Sequence, residues 1–340
     1  MSVKAATLRA DAEAAGEAHA LAFRLAFAAA AGLTLAELLG WDFPFLPAML
    51  AVQLLAGPGS ISLKRGFGFV ALVVVACVFA ILVSQIFVDS PLVLLLVVSL
   101  LIFLSFLLLA LGHAKGVAAL VLITTAVVPL LAIESMSVAY GLIHSLIAGS
   151  ALAVLLAFAA HAFFPAREHV EPISARAKKE APVAVALANT AVLMSVVIYF
   201  MLSASPVSIV VVLTVIGILR QPADLSGGTA FGLILGNLAG GLAATAAYFL
   251  VTLLPSPAFL LLVVLLVGLV FGGRIARGGE LAPIYTIGLM TFLIVLGLGL
   301  SPLPQDSSSI FIARVFDVMV AGIYAVGMAS LLRHAFAARW

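Results

Sequence analysis

Four ionisable residues within long apolar stretches are the first candidates for chemistry: Glu37, His144, Arg314 and Asp317. A charged side chain inside a membrane-spanning helix costs about 3 kcal/mol or more, so it normally faces a cavity or a partner. Arg314 and Asp317 are three positions apart and lie on one side of a helix. They either neutralise each other, or Arg314 binds a substrate carboxylate through its forked donors while Asp317 takes up a proton.

Glu37 and His144 are two further candidates for proton coupling. Glu37 lies near the end of the first apolar stretch, where it is either a proton carrier or an interfacial residue. Histidine changes charge near neutral pH, which favours a coupling role for His144. The alternative is ordinary packing, which is the commoner fate of a lone histidine.

Uncharged polar residues and glycines complete the candidate site. The amides of Gln53, Gln221 and Asn189 either line a substrate path or bond neighbouring helices. Gly228 and Thr229 begin a predicted helix, and the free N–H groups of a helix N-terminus attract anions. A stripe of glycines at intervals of four predicts a smooth face for helix packing: Gly228, Gly232, Gly236 and Gly240.

The composition places these residues in a membrane. About 65% of the 340 residues are apolar and 9% are charged, whereas a soluble domain is about half apolar and a quarter charged. The single cysteine, Cys77, has no intramolecular disulfide partner. No metal-ligand spacing, phosphate-binding loop or cluster of catalytic residues is found, so we expect no cofactor, no metal and no enzyme activity. The near-neutral charge gives no indication of nucleic-acid binding.

A spanning helix needs about 20 apolar residues, and the sequence predicts an all-α polytopic membrane protein with about twelve of them. Residues 1–20 form an N-terminal segment, 21–164 a first group of six spans, 165–181 a polar linker and 182–340 a second group. The predicted spans are 21–39, 44–57, 66–88, 91–112, 116–133, 141–164, 183–203, 206–219, 228–253, 257–273, 281–300 and 310–335.

Lysine and arginine fall almost entirely on one side of this map. With the N-terminus inside, basic residues such as Lys64, Lys115 and Arg274 lie on cytoplasmic segments, whereas the opposite loops carry acidic residues such as Asp42. This distribution satisfies the positive-inside rule and predicts that both termini are cytoplasmic.

The two groups of spans resemble each other in sequence. The triplet His-Ala-Phe at 161–163 recurs at 334–336, and His144 then corresponds to Asp317. Because six is even, both copies enter the membrane in the same orientation and form two parallel six-helix repeats. The short spans 44–57 and 206–219 hold equivalent positions, and paired interrupted spans point either to a translocation site or to simple edge helices.

Three segments resemble the fusaric acid resistance (FUSC) and aromatic acid exporter family. They are the stretch from Leu213 to Gly240 with its Gln221-Pro222 turn, a weaker counterpart from Gln53 to Gly68, and Arg314 to Gly322; Arg24 also fits. The large cytoplasmic domain of many members is reduced to the linker 165–181, and Gly227 or Gly228 stands where the family has an arginine. The chain is therefore most similar to the compact DUF2955 branch.

This resemblance implies a secondary transporter in the bacterial inner membrane that exports small organic acids, aromatic acids among them, in exchange for protons. It also implies a periplasmic membrane-fusion protein as a partner. An organic-anion channel and a non-transporting scaffold subunit of an envelope export complex are the alternatives. The sequence leaves open whether the protein forms a homo-oligomer.

Overall fold

The computed structural model of the protein describes residues 3–57, 62–112, 115–165, 181–202, 208–220, 227–279, 281–301 and 307–337. Within these ranges the chain contains twelve helices and no strand. The helices are α1 (Val3–Leu38), α2 (Phe45–Ala56), α3 (Leu63–Phe87), α4 (Pro91–Ala110), α5 (Lys115–Glu134), α6 (Met136–Phe163), α7 (Pro182–Leu202), α8 (Ile209–Leu219), α9 (Gly227–Leu253), α10 (Pro257–Ala276), α11 (Ala282–Leu300) and α12 (Ser307–Ala337).

Nine of the described helices are long and apolar enough to cross a membrane. The shorter apolar helices are Phe45–Ala56, Ala118–Glu134 and Ile209–Leu219. Two of these, α2 and α8, are the short spans expected from the sequence. The protein is therefore a multi-pass, all-helical membrane protein.

Helix boundaries follow local sequence signals. Pro91 and Pro257 open α4 and α10 at the first turn, where a missing N–H costs no hydrogen bond. The Ser256 side chain caps α10 by accepting a hydrogen bond from the Phe259 amide at 3.1 Å. Helix α1 begins at Val3, well before the predicted span, because its lead is rich in alanine, the strongest helix former.

The outer surfaces of the helices are apolar. On α4, Leu92, Leu96 and Leu100 follow one another at intervals of four and are 77%, 69% and 58% exposed. An exposed leucine stripe of this length suits contact with lipid hydrocarbon rather than water.

The described helices form two compact units, each containing segments from both sides of the linker. Unit 1 comprises Met1–Phe67, Ala148–Ser174 and Ala239–Leu303; unit 2 comprises Gly68–Ile147, Ala175–Leu238 and Pro304–Trp340. Three of the five boundaries between them fall within α3, α6 and α9. The division into repeats at 21–164 and 182–340 stays a prediction, because compactness does not report on sequence equivalence.

In unit 1, α1 packs against α2 and α10, while α11 packs against α2 and α10. Glycines allow these helices to approach closely. A Cβ atom added at Gly32 of α1 would lie 2.7 Å from the Ala48 Cα of α2, and one added at Gly268 of α10 would lie 2.9 Å from the Ala26 Cα. Close backbone approach at small residues is a general means of joining helices in lipid.

In unit 2, α4 packs against α5 and α7, and α12 packs against α7 and α8. Helix α8 also contacts α5 and α7. The short helix α8 is thus enclosed by longer ones, and nine of its eleven residues are buried.

Candidate functional site

A buried polar network joins three helices of unit 2. Arg333 on α12 is 6% exposed, and its Nε and Nη2 atoms donate to the Asn189 side-chain oxygen at 3.2 and 3.0 Å. Asn189 on α7 is 3% exposed, and its Nδ2 donates to the Leu219 carbonyl at the end of α8, at 3.0 Å. The Asn189 amide therefore links the Arg333 guanidinium to the C-terminal end of α8. The last carbonyl groups of a helix have no hydrogen-bond donor within the helix itself.

A second buried guanidinium lies in unit 1. Arg24 on α1 is 6% exposed, and its Nε donates to the Phe164 carbonyl, just past the end of α6, at 2.7 Å. Its Nη2 atom is enclosed by protein and has no hydrogen-bond partner. The negative end of the α6 dipole offsets part of the charge, but no acceptor reaches Nη2.

Four phenylalanine rings form a cluster that includes Phe164, the residue whose carbonyl Arg24 contacts. The rings of Phe23 and Phe164 are stacked, with centroids 5.5 Å apart. The Phe27 ring meets those of Phe163 and Phe164 edge-on, at 5.8 and 6.4 Å. The contact between α1 and the end of α6 therefore combines one cationic group with aromatic surface.

Two further polar atoms without partners lie on α1, one turn apart. Thr34 is 4% exposed and its Oγ1 has no hydrogen-bond partner. The Oε2 atom of Glu37, three residues later, is likewise enclosed without a partner, although Glu37 as a whole is half-buried. Residues three apart share a helix face, so α1 presents a hydroxyl and a carboxyl group together.

The remaining predicted site residues belong to both units, with Gln53 in unit 1 and His144 and Asp317 in unit 2. Asp317 is half-buried, Gln53 is half-buried, and His144 is exposed; Asp317 and His144 each take part in an interaction. The side chains of Arg314 and Thr229, and Gln221 as a whole, lie outside the described residues. Their predicted roles stay predictions.

The four glycines of the predicted stripe on α9 differ in their burial. Gly232, Gly236 and Gly240 are buried, whereas Gly228 is exposed and faces open space. A Cβ atom at Gly240 would collide with the carbonyl group of Gly288 on α11. The close approach is therefore established at the Gly240 end.

Sequence reasoning missed the role of Arg333. Its position beside His334, near the end of a span, is typical of a topology-determining charge, and only its partner shows otherwise. Asn189 is 144 residues away in the chain. The recurrence of His-Ala-Phe drew attention to the neighbouring histidine rather than to the arginine before it. Nothing in the sequence around Thr34 predicted that its hydroxyl would be buried without a hydrogen-bond partner.

The fold and these sites define a multi-pass helical membrane protein with buried cationic groups. Residues 21–160 match the model of DUF2955, a family of proteins of unknown function. The match covers less than half of the chain and ends within α6. No curated protein and no solved structure was found to match the chain.

Proposed function

We propose that the protein is a secondary transporter of the bacterial inner membrane that exports small organic acids, aromatic acids among them, in exchange for protons. The observation that carries the proposal is the burial of two arginines, Arg24 and Arg333, in a chain dominated by membrane-length helices. A buried guanidinium in such a setting is costly and marks a substrate or ion pathway by default. Its forked donors suit a carboxylate.

The proposed architecture is a pair of parallel six-helix repeats with both termini in the cytoplasm. If α7 and α8 repeat α1 and α2, then α10 and α11 repeat α4 and α5. Helix packing supports this equivalence, because α1 and α2 pack with α10 and α11 while α7 and α8 pack with α4 and α5. The DUF2955 match to residues 21–160 coincides with the proposed first repeat.

Proton coupling is assigned to Glu37, with Asp317 and His144 as the further candidates. The Glu37 carboxyl group has one enclosed oxygen without a partner, one turn from the unpartnered Thr34 hydroxyl. A carboxyl group placed in this way is able to bind and release a proton without breaking an existing ion pair. The resemblance to the FUSC and aromatic acid exporter family supports export, with a periplasmic membrane-fusion protein as the partner.

The test is flux into proteoliposomes with radiolabelled benzoate and related acids. We expect a pH gradient to drive accumulation, Arg333→Gln to abolish it, and Glu37→Gln to abolish its dependence on the gradient. Arg277→Gln, at an exposed arginine, is the control and should transport normally.

Absence of flux with every acid of a broad panel would refute the transporter. Benzoate currents across planar bilayers that persist without a pH gradient, and that Arg314→Ala abolishes, would identify an anion channel instead. If substitutions at Arg314 and Glu37 have no effect, and a neighbouring envelope complex fails to assemble without this protein, the protein is a scaffold subunit.

A further inference from the structure

The guanidinium of Arg24 is satisfied on one side only. Nε has a carbonyl acceptor at 2.7 Å, whereas Nη2 is enclosed and unpartnered. A charged donor that is buried without an acceptor is unfavourable, because it loses its hydrogen bonds to water and forms none with the protein. A missing acceptor at this point therefore requires an explanation.

Arg333 shows how a buried guanidinium of this protein obtains hydrogen-bond acceptors. Arg333 is as deeply buried as Arg24, at 6% exposure each, and both its Nε and Nη2 reach one side-chain oxygen, that of Asn189. Arg24 has the Nε acceptor alone. Among the described residues of unit 1, no counterpart of the Asn189 oxygen bonds Nη2 of Arg24.

The described charged groups near Arg24 do not supply this acceptor. Glu17, two turns earlier on α1, interacts with Arg24 electrostatically but does not bond Nη2. On α10, Gly272 lies against the Ala22 carbonyl, and Arg274 follows two residues later with its guanidinium 5.8 Å from the Tyr285 ring centroid. The guanidinium of Arg24 itself favours an anionic acceptor, and Arg274 adds a second positive charge on α10, the helix that packs against α1.

The groups beside Arg24 also indicate the shape of that anion. The rings of Phe23, Phe27, Phe163 and Phe164 contact one another, and Phe164 is also the residue whose carbonyl Arg24 contacts. Phe23 and Phe163 are 43% and 68% exposed, so the cluster presents apolar surface. A ligand with an oxyanion at one end and an apolar body fits both features.

We propose that Arg24 is the centre of an oxyanion-binding site, in which Nη2 binds a carboxylate or phosphate oxygen and the four phenylalanines contact the ligand's apolar part. A small aromatic carboxylate and the phosphate of an anionic lipid share this chemistry. The site stands on the geometry of Arg24 and does not depend on export.

The first arm of the test uses the full-length protein, purified in a non-ionic detergent and stripped of lipid. Binding of benzoate is measured by titration calorimetry at constant ionic strength, with benzamide as the uncharged analogue. We expect benzoate alone to bind, and Arg24→Gln to weaken its affinity about tenfold to a hundredfold. Arg277→Gln is the matched control and should bind as the original protein does.

Two variants keep the test decisive if Arg24→Gln fails to fold. Arg24→Lys retains the charge and loses the fork, so it should also weaken benzoate binding. Phe23→Leu retains the guanidinium and removes a stacking surface, so it should weaken benzoate more than inorganic phosphate.

The second arm measures lipid retention by native mass spectrometry, comparing phosphatidylglycerol with phosphatidylcholine. Retention of phosphatidylglycerol that Arg24→Gln abolishes, without benzoate binding, would assign the site to a lipid phosphate. Failure of both ligands to bind in an Arg24-dependent manner would overturn the proposal and leave a water molecule as the partner of Nη2. Binding without flux would refute the exporter and retain the site.

Discussion

The two units hold their helices together in different ways. In unit 1 the close contacts are made by backbone and small residues, such as Gly32 against Ala48, and Gly297 against Phe45, where an added Cβ would lie 2.6 Å from the Phe45 Cβ. In unit 2 side-chain hydrogen bonds join α7 to α8 and α12, with Asn189 at their centre. Unit 1 also has side-chain hydrogen bonds, such as that from Arg24 to Phe164, but only the Asn189 network is described joining three helices. The two units should therefore respond to different substitutions.

The largest effect is expected from Asn189→Leu. This change removes two hydrogen bonds from the buried Arg333 and the donor from the Leu219 carbonyl, which should destabilise the protein by about 3 kcal/mol. Reversible unfolding by sodium dodecyl sulfate in mixed micelles measures the difference.

Thr190→Val is the matched control for Asn189→Leu. The Thr190 hydroxyl donates to the Ala186 carbonyl of its own helix, so its loss should change the unfolding free energy by less than about 0.5 kcal/mol. Equal effects at the two positions would contradict the importance of the network.

The next effect in size concerns the packing of α9 on α11. Gly240→Ala forces a methyl group against the Gly288 carbonyl and should cost about 2 kcal/mol. Gly228→Ala places the same methyl group in open space and should stabilise the helix by about 0.5 kcal/mol. The same unfolding assay compares them, and a similar cost at both positions would argue against close approach at Gly240.

Replacing Arg24 should matter less for stability than breaking the network in unit 2. Arg24→Met removes one hydrogen bond but also removes the unpartnered Nη2, so we expect a net cost below about 1 kcal/mol in lipid-stripped protein. Unfolding with and without benzoate checks this. A cost as large as that of Asn189→Leu would make Arg24 a structural tie between α1 and α6.

The smallest effect is expected at an exposed contact of unit 2. Gln85 on α3 donates to the Tyr140 hydroxyl on α6 at 2.7 Å. Tyr140→Phe should cost about 0.6 kcal/mol, the usual worth of an interhelical hydrogen bond in lipid. If Tyr140→Phe lowers the free energy of unfolding nearly as much as Asn189→Leu does, buried polar contacts are not worth more than exposed ones in this protein.

The helices were predictable from sequence because their signals are local. Long apolar runs, Pro91 and Pro257 at helix starts, and the interruptions around α2 and α8 all act within a few residues. Which helices pack together was not predictable. The contact of α1 with α10 includes Ala22, Ala26 and Gly268. Alanine and glycine occur in many of the helices, so their presence does not identify the helix against which each one packs.

The candidate site was predictable only in chemical type. The cost of charge in a membrane singled out Glu37, Arg314 and Asp317. One oxygen of Glu37 is enclosed, Asp317 is half-buried, and the Arg314 side chain lies outside the described residues. Whether an arginine is buried depends on residues far along the chain, as Asn189 shows for Arg333. Sequence position alone assigned Arg333 to the membrane surface.

The composition of unit 1 has a consequence for biosynthesis. Helices α1 and α2 end by Ala56, whereas α10, the packing partner of α1, begins only at Pro257. The ribosome needs about 10 to 40 seconds to synthesise the intervening chain at 5–20 residues per second. During that interval Arg24 and the small-residue face of α1 are already made while α10 is absent, so the nascent protein relies on lipid or a membrane chaperone to cover them.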